Sequence, residues 1–355
     1  NLKLAVEATV SNHDLRLWGW KMKRVLKPGN TFSVNMTLLN SGAYEKSNLE
    51  VQLLANGTIV DNASIALLKS HEWTTVNCSW TPMVEGYYNV TAYIVPVDQE
   101  EILENNAMST YVVVRIKDVI RVPEDFRTIQ EAIDSVDSGY TIKVASGLYY
   151  EHLVVHKSNI TLCGQQQENT IIDGFDAVRE EVIHVKEDFV NITQFSIRNG
   201  NQTGIYLAFC DGHIINHNTI SSNSFGIFAG ASTKNTISDN IVSNNTEHGI
   251  SITLSYERDN IVSNKIVNNN VGIYLDNCDY NLIRDNTIKD NNCGMEIHNI
   301  NSRNNRIYHN NFINNTPQLS RNSLEVTNLW VVYGVRRETT GATTMAVTQT
   351  NLSVA

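Results

Sequence analysis

One phrase returns five times between residues 189 and 315 and constrains the chain more than any other feature. It sets an aliphatic residue, an asparagine three positions on, and an apolar residue two beyond that: Ile215/Asn218/Ile220, Ile237/Asn240/Val242, Ile261/Asn264/Ile266, Ile283/Asn286/Ile288 and Ile307/Asn310/Phe312. A second asparagine follows each first one by five residues, at Asn223, Asn245, Asn269, Asn291 and Asn315. Glycines open the next apolar piece at Gly204, Gly226, Gly249, Gly272 and Gly294. The phrase advances by 22 to 24 residues each time, and self-similarity at such a period marks a solenoid. A merely asparagine-rich stretch would hold no fixed phase between these residue types, so the constant offset of five decides for a built repeat.

Within one repeat, Ile and Val alternate with polar residues over three to five positions, bounded by Asn and Gly, with no apolar run at helical spacing. At about 3.3 Å per residue such a repeat fits three short strands joined by turns. Coils stacked about 4.8 Å apart place equivalent residues above one another. Stacked asparagines pass amide hydrogen bonds along a column and satisfy polar groups at buried corners. The asparagines are therefore framework, and function is to be sought among the residues between the inward isoleucines.

With 355 residues, 41% of them hydrophobic, the chain has the apolar content for two domains. A net charge of −10 argues against nucleic acid as a partner, and no apolar run is long enough for a transmembrane helix. Cys78, Cys163, Cys210, Cys278 and Cys293 are too few and too scattered for a disulfide framework or a metal knuckle. Sequons at Asn35, Asn56, Asn62, Asn77, Asn89, Asn159 and Asn191, among others, lean toward an exported protein. The start at Asn1, without methionine or signal peptide, is what a processed product or an excised fragment would have.

Residues 1–114 follow a different pattern. Runs of period two, such as Phe32-Ser33-Val34-Asn35-Met36, Leu49-Glu50-Val51-Gln52-Leu53 and Tyr88-Asn89-Val90-Thr91-Ala92-Tyr93, alternate with turn clusters at Lys27-Pro28-Gly29-Asn30, Asn40-Ser41-Gly42, Asn56-Gly57 and Glu85-Gly86. Short strands at this spacing predict an antiparallel sandwich of immunoglobulin type. The segments Leu38-Leu39-Asn40-Ser41-Gly42, Trp80-Thr81-Pro82, Gly86-Tyr87-Tyr88-Asn89-Val90 and Glu104-Asn105-Asn106 resemble the CARDB family, adhesion-type modules of prokaryotic surface proteins. That resemblance implies a spacer or adhesive unit, and the segment holds no catalytic constellation.

After the charged linker at 115–120, apolar residues at Ile129, Ala132, Ile133 and Val136 predict one amphipathic helix, closed by Asp137-Ser138-Gly139. Thr141–Ala145, His152–Val155, Asn159–Leu162 and Thr170–Asp173 then read as the strands of the first coils. An open solenoid end would template aggregation, so a helix closing it is physically expected. Ile129-Gln130-Glu131-Ala132-Ile133, Gly147-Leu148-Tyr149-Tyr150-Glu151, Ile160-Thr161-Leu162-Cys163-Gly164, Thr170-Ile171-Ile172-Asp173-Gly174 and the Asn/Gly coils resemble the pectin-lyase-like right-handed parallel β-helices. Among these, the resemblance is to the NosD-like and archaeal surface-protein branch.

That class includes lyases, hydrolases, esterases and epimerases beside adhesins and accessory proteins, so the resemblance leaves catalysis open. The pectin-methylesterase segments Gln-Ala-Val-Ala-Leu-Arg and Asp-Phe-Ile-Phe-Gly do not occur here. Of the polygalacturonase pattern there is a His-Gly pair at His248-Gly249 without the carboxylate segments, and Arg115-Ile116-Lys117 lies before the solenoid instead of late in it. The alginate-epimerase Asp-Pro-His-Asp is also missing.

In each Gly-Ile-x-Ile strand the isoleucines point inward, so the residues between them point outward. One outward column reads Tyr206, Phe228, Ser251, Tyr274, Glu296; the next reads Ala208, Gly230, Thr253, Asp276, His298. Tyr206, Phe228, Tyr274, Asp276, Glu296 and His298 are the carbohydrate-binding candidates, because aromatic faces flanked by carboxylates suit a sugar. If the face is an enzyme, Asp276, Glu296 and His298 are the catalytic candidates, since paired carboxylates serve glycoside chemistry. The same pair is of the kind that holds Ca²⁺. A further column reads His217, Asp239, Ser263, Asp285, His309; polar residues on an exposed turn face are its plainer reading, with no metal expected, and His217, Asp239, Asp285 and His309 are the weak metal candidates. The NosD resemblance implies copper there, although Ser263 interrupts the column and no His- or Met-rich tract accompanies it. Cys278 and Cys293 are expected to be packing residues.

After Pro317 the phrasing stops, and Leu329 to Arg337 forms a basic, apolar run without period. Shifted by one nucleotide, the back-translation of Glu338–Met345 permits Gly-Asn-Tyr-Trp-Ser-Asn-Tyr-Asn, similar to the segment with which archaeal relatives continue. The tail is therefore expected to be frame-shifted and poorly ordered. The expectation as a whole is an all-β protein: a CARDB-like sandwich at 1–114, a linker at 115–120, a right-handed parallel β-helix at 121–316 with an N-terminal capping helix, and an atypical tail at 317–355. Its expected role is that of an extracellular or cell-surface binding and structural protein, non-enzymatic, adhesive or in contact with a polysaccharide or other glycan, with no cofactor unless Ca²⁺. A polysaccharide lyase, hydrolase or epimerase is the alternative, and a NosD-like copper accessory protein the third.

Overall fold

The computed structural model describes residues 12–175, 181–298, 302–321, 329–331 and 335–336. The chain divides into two compact units, Asn1–Asp118 and Val119–Ala355.

The first unit is a sandwich of two sheets. Its strands are β1 (Leu15–Lys21), β2 (Val25–Leu26), β3 (Phe32–Asn40), β4 (Lys46–Ala55), β5 (Thr58–Leu68), β6 (Trp73–Trp80), β7 (Gly86–Ile94) and β8 (Ala107–Val114). One sheet has the order β1-β3-β6 and the other β2-β8-β7-β4-β5. Period-two alternation puts Val34, Met36 and Leu38 of β3 against Val51, Leu53, Val90, Ile94 and Val112, all of them fully buried. Burying each such side chain contributes about 1.5–3 kcal/mol, so the alternation alone is enough to choose the inner faces. The Asn40-Ser41-Gly42 turn has its own chemistry. The buried Asn40 amide donates to the carbonyls of Tyr44 and Leu68. A Cβ at Gly42 would lie 2.7 Å from the Asn12 carbonyl oxygen, so only glycine fits.

The second unit is a parallel β-solenoid. Among the described residues its strands form three ladders of ten, nine and eight. Pairing is parallel and in register throughout; Ile215 sits on Ile237, Ile237 on Ile261 and Ile261 on Ile283. The core is a stack of these inward aliphatics, each exposed by no more than a few per cent. The predicted helix is present as α1 (Ile129–Ser135), capped by the Thr128 side chain and by Glu151, whose carboxylate accepts from the Ile129 and Gln130 amides. Its buried Ile129, Ala132 and Ile133 cover the first coil.

The solenoid starts earlier than the sequence boundary. Val119–Val122 already pairs with Thr141–Val144, so residues 119 and 120, read as linker, belong to the first rung. Beyond residue 316, Leu319–Arg321, Leu329–Val331 and Val335–Arg336 add a rung to each ladder. The frame-shifted segment read at 338–345 lies outside the described residues. No helix among the described residues is long and apolar enough to cross a membrane.

The corners show why the repeat is phased as it is. Asn218, Asn240, Asn264, Asn286 and Asn310 form one ladder, each amide nitrogen donating to the next side-chain oxygen at 2.9–3.2 Å. Asn223, Asn245, Asn269, Asn291 and Asn315 form a second over the same range. Each ladder oxygen also accepts the backbone N–H of the preceding coil's asparagine, so one side chain satisfies several buried groups. The glycine column is equally constrained. A Cβ at Gly272 would meet the Gly294 carbonyl oxygen at 2.4 Å, and one at Gly226 the Gly249 oxygen at 2.5 Å.

Candidate functional site

The third ladder presents the outward face on which the sequence argument settled. Its strands include Glu181–Val185, Thr203–Ala208, Phe225–Gly230, His248–Thr253, Val271–Asp276 and Cys293–His298. Register places Tyr206 on Phe228, Phe228 on Ser251, Ser251 on Tyr274 and Tyr274 on Glu296. The adjoining column sets Ala208 on Gly230, Gly230 on Thr253, Thr253 on Asp276 and Asp276 on His298. All six carbohydrate candidates therefore share one face, half-buried and reachable from solvent.

The rings form a continuous chain that the sequence columns show only in part. His184 meets Tyr206 edge-on at 5.0 Å, and Tyr206 stacks on Phe228 at 5.3 Å. The next coil carries Ser251, where an isolated column would break. Phe225 and His248, each the first residue of its strand, bridge the gap. Phe225 contacts Phe228 at 6.0 Å and His248 at 5.1 Å, and His248 stacks on Tyr274 at 4.3 Å. Tyr274 in turn faces His298 at 6.1 Å. Ser251, although at an outward position, is only 1% exposed. Three rings were thus missed by sequence reasoning: His184, Phe225 and His248. His184 falls before the recognisable phrase, and the other two stand just before the glycine, outside the alternating part of the strand.

Charge on this face is negative. The Glu296 carboxylate lies 3.8 Å from Nδ1 of His298, and Glu181 lies 3.8 Å from His184. Oδ1 of Asp276 is shielded from solvent and has no hydrogen-bond partner. Burial, followed by the charges of Asp276 and Glu296, pushes the Tyr274 phenol up, so it stays protonated. Burial lowers the His248 imidazole to about 4, and its shielded Nδ1 has no partner, so the ring is neutral at physiological pH. Burial likewise lowers His184.

The column His217, Asp239, Ser263, Asp285, His309 is placed by backbone chemistry. Every member has φ between 52° and 58°, a left-handed turn that favours short polar residues and histidine. Asp285 lies 3.7 Å from His309 and is also paired with Arg284. Among the described residues, no group of three or more His, Cys, Asp or Glu side chains is placed to hold a metal ion. Cys278 and Cys293 are buried, and burial pushes the Cys278 thiol up to about 12.

A third corner ladder also escaped the sequence argument. His213, Asn235, Asp259, Asn281 and Asn305 are linked from backbone amide to side-chain oxygen at 2.8–3.1 Å. It lies five residues before the first ladder, but its His and Asp members break the asparagine signature. Burial raises the Asp259 carboxyl to about 6, against accepted hydrogen bonds from Ser255 and Asn235.

A family model described as CARDB matches residues 14–110, and one described as periplasmic copper-binding protein (NosD) matches residues 132–351. Among solved structures, the chain is similar to the CARDB domain of a Pyrococcus furiosus protein crystallised with di-metal ions. Identity there is 24%, over 31% of this chain and 99% of that one, with a TM-score of 0.28. The Agl-KA catalytic domain is similar at 11% identity over 86% of this chain and 69% of that one, TM-score 0.50, a likeness of fold alone. An alginate lyase from Paenibacillus sp. str. FPU-7 is similar at 14% identity over 62% of this chain and 95% of that one, TM-score 0.43. No curated protein matches.

Proposed function

This chain belongs to the NosD family, whose model spans residues 132–351, and we propose that it binds a glycan outside the cytoplasm along the aromatic face of its solenoid. The observation that carries the proposal is the unbroken chain of seven rings from His184 to His298. Stacking of coils demands identical residues only at the corners and in the core. It demands nothing of the outward face, so an aromatic row there calls for a ligand with flat, weakly polar surfaces. The C–H faces of sugar rings are such surfaces, and Thr253, Asp276, Glu296 and His298 lie alongside to take hydroxyl groups. The carboxylates of Glu181, Asp276 and Glu296 repel polyuronates, so the favoured ligand is an uncharged or amino-sugar polymer. The adhesion-type first domain supports a surface or secreted setting.

The family's description names copper, and a donor set for it is not found among the described residues. Among the described residues there is no metal-holding group, and the buried thiols of Cys210 and Cys278 are held protonated, up to about 11 and about 12.

Catalysis is the second reading, and one observation favours it: the unpartnered Oδ1 of Asp276 beside the Glu296–His298 pair. A glycan array paired with a polysaccharide-degradation assay tests both. The binding reading expects retention of neutral or amino-sugar glycans without turnover, lost in Tyr274→Ala. Turnover that vanishes in Glu296→Gln would replace it with an enzyme.

A further inference from the structure

The first unit carries a second feature that its fold does not require. Alternation along β1, β3 and β6 turns Leu15, Leu17, Val34, Met36, Leu38, Cys78 and Trp80 into the core. The opposite face of the same sheet presents two tryptophans, Trp18 at 65% and Trp73 at 70% exposure. They stand on the two outer strands with β3 between them. Thr37 and Leu39 of β3 and the two indoles line a groove of about 450 Å³, within the usual range for a small-ligand site.

Trp18 is set out from the sheet by a bulge. The β1–β3 register passes from Leu17↔Leu38 to Gly19↔Thr37, leaving Trp18 as the extra residue. Bulges of this kind re-aim a side chain, and this one lies at the wall of the groove. Arg16, paired across from Leu39, lays its guanidinium over the Trp18 ring at 4.7 Å. Its Nε is shielded and has no hydrogen-bond partner, and it makes no ion pair among the described residues. Further along the face, Thr37 and Thr75 share a hydrogen bond at 3.2 Å, and Asn77 donates to Asn35 at 2.6 Å.

We propose that this face is a second saccharide-binding site, independent of the solenoid, which holds a uronate-bearing sugar with a ring between Trp18 and Trp73 and its carboxylate on Arg16. Two exposed indoles across an apolar floor match the flat face of a pyranose, and threonine hydroxyls at the edge match its substituents. The cation decides the charge class: a guanidinium takes a carboxylate through paired N–H donors, and among the described residues no acidic partner occupies it. The solenoid's carboxylate-lined face has the opposite preference, so the two sites would take different polymers.

The test is calorimetric titration of the full chain with a galacturonate trisaccharide and with its uncharged galactose counterpart. Wild type is compared with Trp18→Ala, Trp73→Ala, Arg16→Gln and, as a control, Tyr274→Ala. Circular dichroism confirms that each variant folds. The site predicts binding of the acidic sugar, roughly tenfold weaker in each tryptophan variant and still present in Tyr274→Ala. In Arg16→Gln the preference for the acidic over the neutral sugar should disappear. Equal affinity for both sugars in Tyr274→Ala, which lacks the solenoid site, or acidic binding unchanged in both tryptophan variants, overturns the proposal. So does sedimentation showing a wild-type dimer that the tryptophan variants dissolve, since the face would then be a contact between copies. Failure here leaves the solenoid reading standing, because that reading is tested by Tyr274→Ala on neutral glycans.

Discussion

The corners and the outward face of the solenoid are built from the same coils, yet they obey different rules. At the corners, asparagine sits on asparagine for five coils in two ladders, because each side chain completes the hydrogen bonds of the coil beneath it. On the outward face one column passes through His184, Tyr206, Phe228, Ser251, Tyr274 and Glu296, with no repeat of identity. Uniformity marks the residues that hold the coils together. Variation marks the residues released from that duty, and a row of rings kept among them is where a ligand is to be expected.

The largest effect should come from breaking a corner. Asn264→Ala removes the acceptor for both the backbone N–H and the side-chain amide of Asn240, and the donor to the Ile237 carbonyl. Buried groups left without partners cost about 1–3 kcal/mol each, so a loss of about 3–5 kcal/mol is expected in chemical denaturation. A change below about 1 kcal/mol would mean that the ladders are not the framework.

Repairing the imperfect third ladder should work in the opposite direction. Asp259, raised from 3.8 to about 6, binds its proton more tightly folded than unfolded. Its contribution is therefore fully present below the unfolded value and is lost as pH rises through about 6. Asp259→Asn should stabilise the chain by about 2–3 kcal/mol at pH 7 and by nothing near pH 3, as read from denaturant midpoints at the two pH values.

The ring chain makes a smaller prediction. His248 is lowered to about 4, so it contributes stability above the unfolded value of 6.5 that is lost as pH falls toward 4. His248→Phe keeps a ring against Phe225 and Tyr274 and should abolish that acid-side loss while leaving the Asp259 effect in place. Melting curves at pH 7 and pH 4.5 distinguish them. The smallest stability effects belong to the outward candidates. Tyr274→Ala should change stability by about 1 kcal/mol, the worth of its ring contacts, while removing glycan retention. Glu296→Gln should leave stability within about 0.5 kcal/mol and weaken the repulsion of uronates. If either destabilises as much as Asn264→Ala, the distinction between framework and face fails.

Legibility in the sequence followed the same division. The paired asparagine ladders, the glycine column and the inward isoleucines were readable because stacking repeats them at nearly constant intervals. The outward columns could then be phased, and Tyr206, Phe228, Tyr274, Asp276, Glu296 and His298 do share a face. His184 was not readable because it precedes the recognisable phrase, although it stands in the Tyr206 column; Phe225 and His248 were not, since their rings join the chain by leaning out of their own column, which no residue spacing encodes. The third ladder was hidden for a related reason: His213 and Asp259 take asparagine's place, because several side chains can offer one oxygen or nitrogen to a backbone amide. The column from His217 to His309 offers metal-ligand residue types in sequence, and the left-handed φ of every member fits the plainer reading of a polar turn face.

From the sequence alone follow the family, the β-solenoid and sandwich architecture, and the register of every coil in the repeat, because periodic burial and corner hydrogen bonding allow few other arrangements. Only the tertiary structure decided that the aromatic row is continuous across Ser251, that Asp259 stands buried in a ladder, and that Trp18 and Trp73 face one groove. Those outcomes depend on how side chains from different coils or strands fill the space between them, and that packing is written in no single repeat.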